Sequence, residues 1–148
     1  MNPFSSLPEY EAYIYGLPAR YLSILSSTLV VVRRSAAVVI VKGEVHFAAG
    51  FRLSLIEYST FHAGPGIIIG YSYEGWQGAT KLYWYDSQAH PHDPTLAATH
   101  PHHKHVPPDI KHNRIPAPGL SFTQPNLPFL IQEIEQLLPV STAAGQAG

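Results

Sequence analysis

The chain contains no cysteine among its 148 residues. That excludes disulfides, thiolate metal sites and cysteine nucleophiles, and it fits a reducing cytoplasm. Charge is also scarce. Charged residues make up 13% of the chain and the net charge is −1 with histidines neutral, so the balance calls for neither nucleic acid nor an anionic membrane. No long hydrophobic run exists. The most apolar stretch, Leu29 to Val41, is broken by Arg33 and Arg34 and falls short of the roughly 20 residues a membrane helix needs. It reads as buried strand. The N-terminus has no basic region followed by an apolar run, so no secretory signal is expected. These absences predict a soluble, cytoplasmic chain with no membrane partner.

What is present in excess is histidine (9) and proline (14), set in a chain with 45% hydrophobic residues. The length suits one domain and buries enough surface to fold without a staple. The fold class expected is α+β, with a single domain over residues 1–139 and a small, polar, disordered tail over 140–148.

Periodicity supplies the elements. A short helix is expected to start at Pro18, with Tyr21, Leu22 and Leu25 on one face. Tyr10, Tyr13 and Tyr15 lie upstream without a clean period and are expected to pack on the domain. Four strands follow, over about 37–47, 51–61, 67–76 and 80–86, with Ala48-Ala49-Gly50 as a tight turn. Alternation places Ile67, Ile69, Tyr71 and Tyr73 on one side of the third strand. In the fourth, Tyr83 and Tyr85 oppose Leu82 and Trp84. Short loops between successive strands argue for an antiparallel meander of about four or five strands. A last helix is expected at about 128–138, with Asn126 as its cap, Pro128 in its first turn and Leu130, Ile131, Ile134, Leu137 and Leu138 as its apolar stripe. The exposed edge of such a sheet makes a homodimer the expected assembly.

Between strand and last helix, residues 87–128 hold nine of the prolines and seven of the histidines. Proline at this density forbids a central strand or a long helix, and a loop of this length in a compact domain is usually functional. The run Thr99-His100-Pro101-His102-His103-Lys104-His105-Val106 concentrates the unusual residues. If it is extended, His103 and His105 point one way and His100, His102 and Lys104 the other.

Three readings of this run stay open. In the first, His102, His103 and His105 transfer protons in RNA cleavage, with Asp86 beside them, Lys104 steadying the phosphorane charge, and Tyr71, Tyr73, Tyr83, Tyr85 and Trp84 stacking on bases. In the second, the His-x-His pairs His90/His92, His100/His102 and His103/His105, with Asp86 or Asp93 adding a carboxylate, hold a divalent metal such as zinc. In the third, the histidines bond backbone groups, the tyrosines are cross-strand packing, and the Pro-rich loop docks a protein. The first reading predicts RNA binding that weakens above about pH 7, as imidazoles lose charge.

The order of motifs carries a resemblance as well. Tyr71-x-Tyr73, then Leu82-Tyr83-Trp84-Tyr85-Asp86, then His90 and the Pro-His-His-Lys-His run of 101–105 resemble the TumE-type toxins of prokaryotic toxin–antitoxin modules. The likeness runs over roughly 20–138 in outline and is specific over about 80–106. In that family the strand ends in Arg-aromatic-Asp-Asn; here Trp84 stands for the arginine and Ser87 for the asparagine. The resemblance implies an antitoxin protein as partner and a growth-inhibiting activity on RNA.

Overall fold

The computed structural model describes residues 2–62 and 64–140. Its centre is one antiparallel sheet of eight strands: β1 (Ile24–Ser27), β2 (Val30–Arg33), β3 (Val38–Phe47), β4 (Phe51–Thr60), β5 (Ile67–Gln77), β6 (Thr80–Asp86), β7 (His103–His105) and β8 (Arg114–Pro116). The order across the sheet is β1-β3-β4-β5-β6-β7-β8, and β2 lies beside β1 on the same edge, also paired to β3. The sheet is thus an antiparallel meander, as expected, but with eight strands rather than four or five.

The extra strands have two sources. First, the apolar stretch Leu29–Val41 is two arms of a hairpin, not one strand. Arg34 and Ser35 turn the chain, both donating their N–H groups to the Val38 carbonyl, and β2 pairs back on β3. The expected helix from Pro18 shrinks for a related reason. After the single turn α2 (Leu17–Arg20) the chain becomes β1, which leaves Leu22 and Leu25 96% and 68% exposed instead of on a buried face. Gly43 lets β1 and β2 share one partner strand: its φ is +133°, and a Cβ there would stand 2.6 Å from the Thr28 carbonyl oxygen. Second, the Pro/His-rich segment contributes β7 and β8. Proline is absent from β7 and comes only at the end of the edge strand β8, where a missing ladder donor costs little.

Bulges correct the expected faces. Tyr58 pairs with Gly70 and Ser59 with Ile68, so Ile69 is the extra residue. Ile68 therefore joins Tyr71 and Tyr73 inside, while Ile67 and Ile69 are 48% and 57% exposed. In β6 a second shift at Gly75/Trp76 leaves Leu82 extra, and Leu82 packs towards the core instead of sharing Trp84's face.

An unexpected helix, α1 (Leu7–Tyr15), precedes these strands. Its signal is local: Ser6 caps the Glu9 N–H, Pro8 sits in the first turn, and Ser6-x-x-Glu9 has the spacing of a capping box. Tyr10, Tyr13 and Ile14 are buried by it, whereas Tyr15 stays 57% exposed. The closing helix is α3 (Leu127–Leu137). Asn126 holds its N-cap position but makes no capping bond. Its side chain instead bonds the Tyr73 hydroxyl and both the N–H and the carbonyl of Ser121. Leu127, Leu130, Ile131 and Ile134 form the buried stripe, and Leu137 is 46% exposed. The expected tail lies outside the described residues apart from Val140.

Both helices lie on one face of the sheet. Beneath α1, the fully buried Glu57 of β4 accepts hydrogen bonds from the hydroxyls of Tyr10 and Tyr73, which satisfies an otherwise costly interior carboxylate. The other face presents Lys42, Glu44, Arg52, Glu74, Trp76, Trp84, Asp86, His103 and His105, by the alternation along paired strands. No helix among the described residues is long and apolar enough to cross a membrane.

Candidate active site

Register builds the site. Asp86 ends β6 directly opposite His103 on β7, and Trp84 lies opposite His105. Directly paired residues share a face, so all four side chains rise from the face opposite the helices. Asp86, His103 and His105 are 8%, 1% and 3% exposed. His103 Nε2 lies 3.0 Å from Asp86 Oδ1, His105 Nε2 lies 3.1 Å from Oδ2, and the two Nε2 atoms are 3.2 Å apart.

Each member is oriented from behind. His103 Nδ1 is 3.0 Å from the Pro101 carbonyl and His105 Nδ1 is 2.8 Å from the Ile110 carbonyl. A carbonyl only accepts, so both Nδ1 atoms carry protons and both Nε2 atoms face the shared centre. The Gln88 N–H donates to Asp86 Oδ1 at 2.9 Å. The Trp84 ring stacks on His105 with centroids 4.1 Å apart, and its indole N–H is fixed by Ser72. His90 stands edge-on to His103 at 4.8 Å.

The electrostatics separate the two imidazoles. Burial works against the Asp86 carboxylate, yet hydrogen bonds from His103 and Gln88 and the imidazole charges outweigh it and hold its pKa below the usual value. For His103 burial is again the largest influence, but Asp86 and the Pro101 carbonyl together raise the pKa above the ordinary one. For His105 burial prevails and the pKa falls. His90 is lowered too, by burial and then by the charges of Arg114 and His103.

A cleft of about 380 Å³ opens over this group, lined by Lys81, Trp84, Asp86, Gln88, His90, His105, Ile110, Lys111 and Arg114. Three cations thus surround one carboxylate. Arg114 Nε is buried without a hydrogen-bond partner among the described residues. Lys81 lies between the rings of Trp76 and Trp84 and is paired to Glu74. A neighbouring hollow of about 400 Å³, lined by His90, His92, Asp93 and Arg114 among others, adjoins the cleft.

The structure does not gather every residue that the sequence singled out. Lys104 lies on the helix side, its Nζ 2.8 Å from Glu133 of α3 and above the rings of Tyr83 and Tyr85. His102 faces the same side, with Nδ1 2.5 Å from the Tyr71 hydroxyl and its ring stacked on Tyr71. Tyr71, Tyr73, Tyr83 and Tyr85 are at most 5% exposed. They serve as packing between sheet and helix, whereas Trp84 lines the cleft. His92 and His100 are exposed and apart from the trio. Lys111, Arg114 and Gln88 belong to the cleft although no motif marked them: Gln88 stands two residues after Asp86, the end of β6, and the folding back of residues 106–113 brings Lys111 and Arg114 there.

No curated protein and no solved structure matches the chain. A family model described as toxin TumE matches residues 18–138. That span takes in the whole sheet from β1 to β8, the converging Asp86, His103 and His105, and α3. The chain belongs to the toxin TumE family.

Proposed function

We propose that this chain is the toxin of a toxin–antitoxin module, partnered by an antitoxin protein, and that it acts on RNA. One observation carries the RNA reading: two imidazole nitrogens and a carboxylate meet at the floor of a cleft rimmed by Lys81, Lys111 and Arg114. Proton carriers among cations suit phosphodiester chemistry. His105, which lines the cleft, takes the proton from a ribose 2′-hydroxyl as that oxygen attacks the adjacent phosphorus. The His103–Asp86 pair behind it holds the proton, which returns to the 5′ oxygen as the P–O5′ bond breaks. Arg114 and Lys111 hold the phosphate. Trp84 keeps the His105 ring upright.

The test is direct. Purified protein is incubated with total RNA, with and without EDTA, and growth is followed after induction. Cleavage in the presence of EDTA, ends carrying 2′,3′-cyclic phosphate, growth arrest, and loss of all three in His105→Ala are expected. No cleavage in either condition, together with unimpaired growth, removes the RNA reading. The chain is then a non-enzymatic binding module whose His/Pro segment docks a partner.

A further inference from the structure

The two Nε2 atoms facing each other pose a problem that hydrogen bonding inside the site only half solves. With both Nδ1–H groups committed to carbonyls, neutral rings aim two lone pairs at each other across 3.2 Å and at a carboxylate 3.0–3.1 Å away. Three electron-rich atoms this close need a cation between or beside them. A proton can serve one pair. A metal ion serves all three.

We propose that Asp86, His103 and His105 form a site for one divalent transition-metal ion of the zinc class. The spacing supports it. Ligands about 2.0–2.1 Å from a tetrahedral zinc stand roughly 3.3 Å apart, and the three donor separations of 3.0, 3.1 and 3.2 Å need little adjustment. The outer bonds support it as well: histidines that bind metals through Nε2 characteristically donate Nδ1–H to a carbonyl or carboxylate, which fixes tautomer and ring plane. All three ligands are buried on paired strands, not on a loose loop. Two imidazoles and a carboxylate, with no thiolate in the chain, favour zinc, cobalt or nickel over magnesium or calcium. Two of the three ligands, Asp86 and His105, also line the cleft.

Occupancy has a consequence that rests on the RNA reading. A bound ion uses the Nε2 lone pairs of His103 and His105, so proton transfer and metal binding exclude each other. The metal is then a brake on the toxin.

The full chain, stripped with EDTA, is titrated with zinc by calorimetry and with cobalt by its visible absorption band. Expected are one ion per chain and a raised melting temperature, with affinity at least about a hundredfold weaker in His103→Gln and in His105→Gln. The double variant His92→Gln/His100→Gln is expected to keep wild-type binding, and circular dichroism checks that each variant is folded. Zinc is expected to stop RNA cleavage and EDTA to restore it. The site is overturned if folded wild-type protein binds no stoichiometric ion, if the two ligand variants retain it, or if the His92/His100 variant loses it. Cleavage that requires zinc overturns the brake. Stoichiometric zinc in a protein that cleaves no RNA in any state leaves the metal site standing and removes the RNA reading.

Discussion

At the scale of single residues, charge placement decides most of what this protein can do. Glu57 is a carboxylate with no exposure, sustained by two tyrosine hydroxyls that come from different elements. Burial is the main influence on it and pushes its pKa up. The sign of the linkage follows: a group whose folded pKa exceeds its unfolded one stabilises most below the unfolded value, and that contribution disappears as pH rises through the folded value. Glu57→Gln removes this titration while keeping a carbonyl acceptor. Thermal melts at pH 4 and pH 7 are expected to show the wild type gaining on the variant as pH falls. A difference independent of pH, or one that grows towards pH 7, contradicts the assignment.

At the scale of elements, the connection between β6 and β7 governs the site, because it sets where β7 begins and therefore which residue faces Asp86. This connection is proline-rich yet anchored. Asp93 accepts from the Thr95 N–H to open a 3-10 turn over Pro94–Thr99. Leu96 is 2% exposed, in a turn that packs against β8. Thr99 Oγ1 donates to the His102 carbonyl and accepts from the Ala117 N–H, tying the turn to the end of β8. Leu96→Ala is expected to cost about 2–5 kcal/mol and to expose amides 94–103 to hydrogen exchange ahead of β4 and β5. Protection that stays even across all of these strands would show that the anchor lies elsewhere.

At the scale of the whole molecule, the two faces of the sheet have separate tasks. One buries its residues under α1 and α3; the other carries the cleft. Net charge is only −1, so any hold on RNA is local to Lys81, Lys111 and Arg114. Three phosphate contacts on a single strand predict a slope of log affinity against log salt of about −2, and each contact removed makes it shallower by about 0.7. Arg114→Ala and Lys111→Ala are expected to do this in filter-binding or anisotropy titrations. Lys104→Ala is expected to leave the slope alone and lower stability, because its charge is spent on Glu133. A slope changed by Lys104→Ala but not by Arg114→Ala would put the RNA on the helix side.

Much of this was written locally. Alternating apolar residues determined β3 to β6 nearly to the residue, and Leu130, Ile131 and Ile134 determined the packed face of α3. Alternation likewise separated His103 and His105 from Lys104. The Ser6-x-x-Glu9 signal for α1 was present in the sequence as well, hidden by tyrosines without an obvious period. Other features had no local signature. Which residue bulges in β5 and β6 depends on the partner strand, and one extra residue moves a neighbour to the opposite face. That β2 folds back on β3, and that residues 106–113 deliver Lys111 and Arg114 over Asp86, are long-range facts. Sequence alone determined which side chains are available for chemistry and the two-residue spacing of His103 and His105. The tertiary structure decided which of them meet, because a proline-rich segment has no repeat of its own and takes its register from the strand it pairs with.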